Sequence, residues 1–376
     1  MALRRAATVA RALAARARAP APPAPEPLDL AACAAALAGA GADVARGRVA
    51  ANRAPWTATG LVARRGAPVT WLAHGDSWLL SRRGPHLGAG LQLRARTGGR
   101  APALSATGPT HTASAPHDGP IELACLFPDE LRGPEERLIG DAIPRAAFRG
   151  GFGVVVAAWP PGTDVPARLA AAARADPTGL IAREAARLAH PVRPPAGWEA
   201  HPHVPLAGLH TAHHDGIAVA TRGGVEIVRT PVRAPLSDTL ELRWRWRVDA
   251  LPSTVAEDTL LTHDYLSIAV ELDDGRDLTY HWSAALPPET HYRCPLPHWR
   301  HREWHLVVRS GADGLGEWQR EARRVAPDRD RAIGGPRPRE VVAVWLIATT
   351  VGQRREGRAV YADVELVDGD VAVAVR

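Results

Sequence analysis

The chain has 376 residues, enough for two or three domains that each bury a core of their own. It carries a formal net charge of +6, and because it contains no lysine all 46 basic residues are arginine. These arginines are interleaved with 40 acidic residues and form no long basic block, which argues against a nucleic-acid partner, and no run of eighteen apolar residues is present to span a membrane.

The opening stretch, MALRRAATVARALAARARAPAPPAPEP, sets arginines on an alanine-rich helical pattern without acids until Glu26. It is like a transit peptide in composition but lacks the unbroken apolar stretch of a secretory signal, so a cytoplasmic location is expected. We read residues 1–28 as a disordered basic tail running into a Pro/Ala linker. Cys33, Cys125 and Cys294 lie far apart and form no CxxC pair, which speaks against a disulfide framework or a zinc ribbon. Each is read as a small buried hydrophobe.

Residues 29–46 read as a short alanine-rich helix. From Gly47 the texture changes to short β-like runs broken by Gly and Pro: RVAAN, GLVARR, VTWLAHG, LQLRAR, IELACLF and FGVVVAAW. This spacing predicts an antiparallel sandwich, closed by Pro160 and Pro161, which with the preceding helix makes a domain over 29–162. Residues 163–195 read as a helical linker, in two pieces split at Asp176-Pro177. Longer strands return over 196–376: GIAVAT, VEIVRT, LELRWRWRV, YLSIAVEL, LTYHWSAA, EWHLVVRS, VVAVWLIATT and AVYADVELVD. The DDGRD turn (273–277) marks a hairpin, because Asp-Gly accepts positive φ. The expected fold is mainly β: two jelly-roll-like β-sandwiches joined by a short helical linker.

Two resemblances follow from these segments. LRWRWRV, HDYLSIAVELDDG, LTYHWS, SGADGLGEWQREARRV and VVAVWLIATT…AVYADVEL occur in the order seen in the uncharacterised bacterial domain-of-unknown-function family 3047, over about residues 196–368. That resemblance implies a β-sandwich and carries no established reaction. Family members usually have an acidic Asp-x-Asp run where this chain has ATTVGQRREG (348–357). With Ala348, Thr350, Arg354 and Arg355 there, no metal is expected at that loop. Residues 47–158 resemble the galactose-binding bacterial lectin type, through RVAANRAPWTATGLVARRGAPVTWLAHGDSW and LQLRARTGG…GPTHTASAPHDGPIELACLF. In those lectins calcium and polar residues after the strand matching IELACLF hold the sugar. Here that loop reads PDELRGPEERLIG, with Asp129, Glu130, Glu135 and Glu136 but without the Asn pair.

Motifs for catalysis are sparse. GxSxG at a nucleophile elbow, HExxH, a Walker loop and GxGxxG before a helix are all missing. The histidine-rich runs HPH (201–203), HTAHHD (210–215) and HWRHREWH (298–305) invite a zinc reading. His298, His301 and His305 share a face only in a helix, however, and Trp304 with the following LVV favours a strand. Solvated loop histidines, with no metal and no cofactor, are expected.

Period-two alternation in the second sandwich yields the candidate site. Leu242, Trp244, Trp246 and Val248 face the core, leaving Arg243, Arg245 and Arg247 outside. The same rule sends Tyr265, Ser267 and Glu271 outward on the next strand, His281 on the one after, and His305 and Arg309 on a fourth. Candidate catalytic groups are His281, His305, Tyr265 and Glu271, with Arg309 beside them. Candidate ligand-binding groups are Arg243, Arg245, Arg309, Asp264 and Ser267. The competing reading pairs the arginines with neighbouring carboxylates on a wet face.

The functional expectation is a protein that binds carbohydrate or another polar small molecule through β-sandwich modules. An enzyme is the alternative, a lyase or hydrolase working on a glycan or polar metabolite from the sheet face of the second sandwich. A module that docks a partner protein through that face is a third class, and the oligomeric state is left open.

Overall fold

The computed structural model describes residues 2–18, 23–53, 56–106, 108–126, 131–132, 137–138, 145–202, 204, 206–297 and 299–375. The chain divides into two compact units, residues 21–192 and residues 1–20 with 193–376. Both are mainly β.

In the first unit a five-stranded sheet contains Asp43–Ala50, Phe148–Ala158, Pro68–Leu79, His86–Leu87 and Thr110–Ser114. A four-stranded sheet contains Thr57–Ala63, Gly119–Cys125, Leu93–Thr97 and Arg100–Ser105. The run FGVVVAAW is apolar at nearly every position because its strand is covered on both faces. Val155 and Ala157 join Leu72 in packing against the helix Leu30–Gly39 and its neighbours. Val49, Val154 and Val156 point the other way, toward Thr57 and Leu123 of the four-stranded sheet, across a cavity of about 50 Å³. That space admits a few waters but no sugar ring.

Asp29 starts the first of these helices, accepting from the amides of Ala31 and Ala32 at 3.0 Å. The helices expected between the sandwiches are Val165–Ala172 and Leu180–Ala189. They lie on the helical side of this unit, with Leu169 and Ile181 fully buried against Cys33 and Leu37. Asp176 accepts from the Ile181 amide at 2.9 Å and fixes the break between the two pieces.

The second unit opposes two sheets. One runs Glu199–Ala200, Val225–Pro235, Glu340–Thr349, Tyr265–Leu272, Asp277–Ser283, Glu303–Ser310, His291–Arg293 in spatial order. The other runs His210–His213, Gly216–Arg222, Glu356–Asp368, Glu241–Ala250, Trp318–Arg324, with Val371–Ala374 beside Glu356–Asp368. Among the described residues the only parallel neighbours are Asp277–Ser283 and Glu303–Ser310. The indoles of Trp244 and Trp246 face inward, as alternation requires, and meet Tyr280, Trp282 and Tyr361 at ring separations of 5.7–6.2 Å. Gly275, at φ +77°, makes the expected DDGRD turn.

One expectation about the N-terminus is corrected. Residues 2–18 form a helix that belongs to the second unit, not a disordered tail. Thr8 and Ala12 are buried, and Arg4 and Arg5 both donate to the buried carboxylate of Asp258, Arg5 at 2.9 Å. A charge-assisted hydrogen bond of this kind contributes about 1.5 kcal/mol or more. The Asp258→Ala protein is therefore expected to be cut by trypsin within residues 2–18 roughly tenfold faster than wild type. Limited proteolysis read by mass spectrometry checks this, and equal cleavage rates would show that the helix is held by other means.

Candidate functional site

The arginine face of LRWRWRV is occupied by the protein's own carboxylates. Arg243 donates to Glu241 at 2.8 Å, Arg247 to Asp249 at 3.0 Å, and Arg245 to Asp363. Arg245 and Arg247 also lie over the Trp318 ring, at 4.9 and 5.7 Å. Asp363 has φ +50° and sits where the register against Glu241–Ala250 shifts, so a bulge aims its carboxylate at Arg245. Partly exposed pairs like these contribute about 0–1 kcal/mol each. The paired-arginine alternative is the arrangement observed.

The polar face of the opposing sheet is different. Tyr265, Ser267, His281 and His305 do point outward from their sheet, as alternation predicts, yet all four are buried. The segments 252–264 and 284–290 lie over this face and make a third layer, anchored by Ala256 and Leu286 against Val307 and Tyr292, the latter from the edge strand His291–Arg293. Beyond that strand Cys294 and Trp299 pack with Tyr265, Ala269 and Trp345. The expectation that His305 is exposed is thereby corrected.

Under this cover lies a compact cluster. His263 approaches His305 with ring centroids 4.7 Å apart, Tyr265 lies 4.8 Å from His305, and Tyr292 stacks on His305 at 4.9 Å. His281 sits 5.5 Å from His305 and meets the Tyr292 hydroxyl at 3.2 Å. The Tyr265 hydroxyl donates to Glu303 Oε1 at 2.7 Å. His263 Nδ1 is 2.8 Å from the Glu257 carbonyl, which can only accept, so the proton is on Nδ1. The other nitrogen, Nε2, then presents a lone pair 3.4 Å from Cys294 Sγ. His305 Nε2 lies 3.3 Å from Glu303 Oε1, but neither ring nitrogen of His305 makes a hydrogen bond.

Electrostatics sort these groups. Burial, with help from neighbouring His305, pushes His263 down to about 3, so its imidazole is neutral. Burial also holds His281 well below its ordinary value. For Glu303 burial acts upward, but the interaction with neighbouring His305 outweighs it and holds the carboxyl below its ordinary value. Burial, followed by the Glu303 charge, pushes the Cys294 thiol up.

The remaining candidates lie elsewhere. Glu271 shares the sheet face but accepts from Trp345 Nε1 at 3.1 Å and faces Arg302, four residues along the strand from Ser267. Arg309 does not point outward. A register shift pairs it with the inward-facing Trp282, over which it stacks at 5.6 Å while donating to Glu321 of the opposite sheet. Asp264 is fully buried, and its carboxylate accepts from the backbone amides of Gly352, at 2.6 Å, and Gln353. A Cβ at Gly352 would fall 2.9 Å from Asp264 Oδ1, so the loop read as ATTVGQRREG needs glycine there.

Of the histidine runs, His201 is buried beside Trp299 and Trp345, and His210 is buried against Glu226. His213 and His214 are near the surface with Asp215. His203 and His298 lie outside the described residues, as do Asp129, Glu130, Glu135 and Glu136 of the lectin-like loop. His263, Cys294 and Glu303 were not singled out by sequence reasoning as members of one group. The signal available was the histidine of HDYLSIAVELDDG, adjacent to the candidate Asp264.

A second polar group lies in the first unit, at the end of Pro68–Leu79. His86 Nδ1 is 2.7 Å from Asp76 Oδ2 and its Nε2 is 2.6 Å from the Arg82 carbonyl. The Arg82 guanidinium lies 4.6 Å over the half-buried Trp78 ring, which stacks on His86. Asp76 and Arg82 are partly exposed, at 21% and 29%.

Comparison with known proteins places these units as follows. No curated protein matches the chain. Among solved structures, the N-terminal domain of EclA, a PllA-like lectin, is similar over 30% of this chain and 95% of its own, at 21% identity and a TM-score of 0.23. The xyloglucanase domain of NopAA, a type three effector from Sinorhizobium fredii, is similar over 42% of this chain and 83% of its own, at 9% identity and a TM-score of 0.27. An N-terminal tandem domain of two CBM22 modules from Paenibacillus barcinonensis covers 88% of this chain and 87% of its own, at 10% identity and a TM-score of 0.21. The C-terminal half of the chain resembles a family described as "Protein of unknown function (DUF3047)", whose match spans residues 208–365.

Proposed function

We propose that the protein binds a carbohydrate or a similarly polar small molecule through its β-sandwich units, with the Asp76–Trp78–Arg82–His86 group of the first unit as the ligand-contacting surface. The observation that carries this reading is the company kept by Trp78. A half-buried indole beside a partly exposed carboxylate and guanidinium, braced by the His86 ring, offers apolar surface together with acceptors and donors for hydroxyl groups. The lectin resemblance of residues 47–158 makes galactose-type sugars the first ligands to try. Two other locations are less suited. The arginine face of the second unit is engaged with its own acids, and the imidazole cluster is closed over by residues 252–264 and 284–290.

A glycan array probed with the full chain tests the proposal. Binding to at least one glycan is expected, weakened about tenfold or more in Asp76→Ala and Trp78→Ala, the loss of roughly one good polar or stacking contact. Arg243→Ala should bind like wild type. Silence across the array, or unchanged affinity in both variants, would overturn the assignment, and repeating the array with a chelator separates metal-free from calcium-assisted recognition.

A further inference from the structure

We infer that His263, Cys294, Glu303 and His305 form a closed binding site for a divalent transition metal of the zinc class, which fastens the third layer of the second unit onto its sheet. Each residue offers a ligand atom, and these atoms lie within 4.8 Å of one another. A tetrahedral zinc ion with bonds of about 2.0–2.3 Å needs ligand atoms about 3.3–3.8 Å apart. The His263 Nε2 to Cys294 Sγ separation of 3.4 Å and the His305 Nε2 to Glu303 Oε1 separation of 3.3 Å match two edges of that tetrahedron.

The surroundings are those of a ligand set rather than of a hydrogen-bonded core. The Glu257 carbonyl fixes the His263 tautomer that leaves Nε2 free to coordinate, and the Tyr265 hydroxyl holds the Glu303 carboxylate. Such outer partners orient imidazole and carboxylate ligands toward a metal. His305 is fully buried with neither ring nitrogen hydrogen-bonded, a costly arrangement that a coordinate bond would relieve. One thiolate and two imidazoles select a borderline-soft ion over calcium or magnesium, which take oxygen ligands. On binding, the Cys294 thiol loses its proton to solvent as the sulfur–metal bond forms.

The origin of the ligands gives the site its role. His263 comes from the covering segment 252–264, Cys294 from the end of the edge strand His291–Arg293, and Glu303 and His305 from the strand paired with it. Four protein ligands without an open position make a structural site, so the ion would tie cover to sheet and not activate water.

The test uses the full chain made without a polyhistidine tag. Elemental analysis after extensive dialysis should find about one zinc per chain, and cobalt(II) exchanged into the protein should give intense tetrahedral d–d bands with a thiolate-to-cobalt charge-transfer band. Cys294→Ser should lose the charge-transfer band, while His213→Ala, altering the separate surface group His213–His214–Asp215, should keep both metal and spectrum. Substoichiometric metal with no charge-transfer band on adding cobalt(II) overturns the inference, as does a Cys294→Ser protein whose band is intact. If Cys294→Ser does not fold, X-ray absorption on the wild-type protein decides: a sulfur scatterer at about 2.3 Å supports the site, and a shell of nitrogen and oxygen alone overturns it.

Discussion

Replacing Glu226 by alanine is expected to reduce the unfolding free energy of the second unit by about 3–5 kcal/mol, the cost of leaving several buried donors without their shared carboxylate. The Glu226 side chain is fully buried and accepts from four consecutive amides: Ala207 at 2.5 Å, Gly208 at 2.6 Å, Leu209 at 3.1 Å and His210 at 2.8 Å. The His210 ring adds a fifth contact at 2.9 Å. Truncation leaves these donors facing a void, so the segment 207–210 loses its anchor along with the strand that follows it. Urea denaturation checks the magnitude, read as a lower midpoint.

The same carboxylate predicts a pH dependence. Burial alone would raise the Glu226 pKa, but the His210 ring and the amides of His210 and Ala207 outweigh it and bring it below the ordinary 4.5. Its folded-state value is depressed, so its contribution is fully present above 4.5 and is lost as the pH falls through the lowered value. Glu226→Gln should therefore be less stable than wild type near neutrality, with the gap narrowing as the solution is acidified below 4.5. A gap that stays constant with pH would show that the amides, not the charge, set the energetics.

Trp246→Ala is expected to cost about 3–5 kcal/mol, as for other large aromatic truncations in a packed core. Trp246 is fully buried among Trp244, Trp282 and Tyr361, and its Nε1 donates to Glu321 Oε1 at 3.0 Å. Glu321 also receives Arg309, so the indole is one end of a hydrogen-bonded link between the two sheets. Trp246→Phe keeps most of the apolar area and loses that link together with part of the ring, for an expected cost of about 1–2 kcal/mol. Denaturant midpoints for the two variants check the order. Equal losses would assign the effect to the hydrogen bond instead of to packing.

The alternation that predicts an inward Trp246 also placed Tyr265, His281 and His305 on one shared face. Alternation is a local property of extended backbone, so it can be read without knowing what packs on either side. What lies over that face could not be read. Residues 252–264 and 284–290 have no period, and their docking is decided by scattered anchors such as Ala256 and Leu286. Local reasoning also fails where the ladder slips: one skipped residue at Val308 turns Arg309 from the outer face to the sandwich edge. The arginine face was legible in direction but not in occupation, since the acid facing Arg245 arrives at a bulge more than a hundred residues later. The helix at residues 2–18 was misjudged for a similar reason. Arg4 and Arg5 look solvated until Asp258 is seen buried opposite them.

The parallel pairing of Asp277–Ser283 with Glu303–Ser310 carries a consequence for assembly. Asp277–Ser283 cannot gain its partner Glu303–Ser310 by a tight reversal, because the chain must travel back the full strand length before running alongside. During refolding, that central strand keeps a bare row of amides and carbonyls until the return path is laid down. A nascent or heated molecule is then open to capture by the equivalent edge of another copy, and recovery should fall as protein concentration rises.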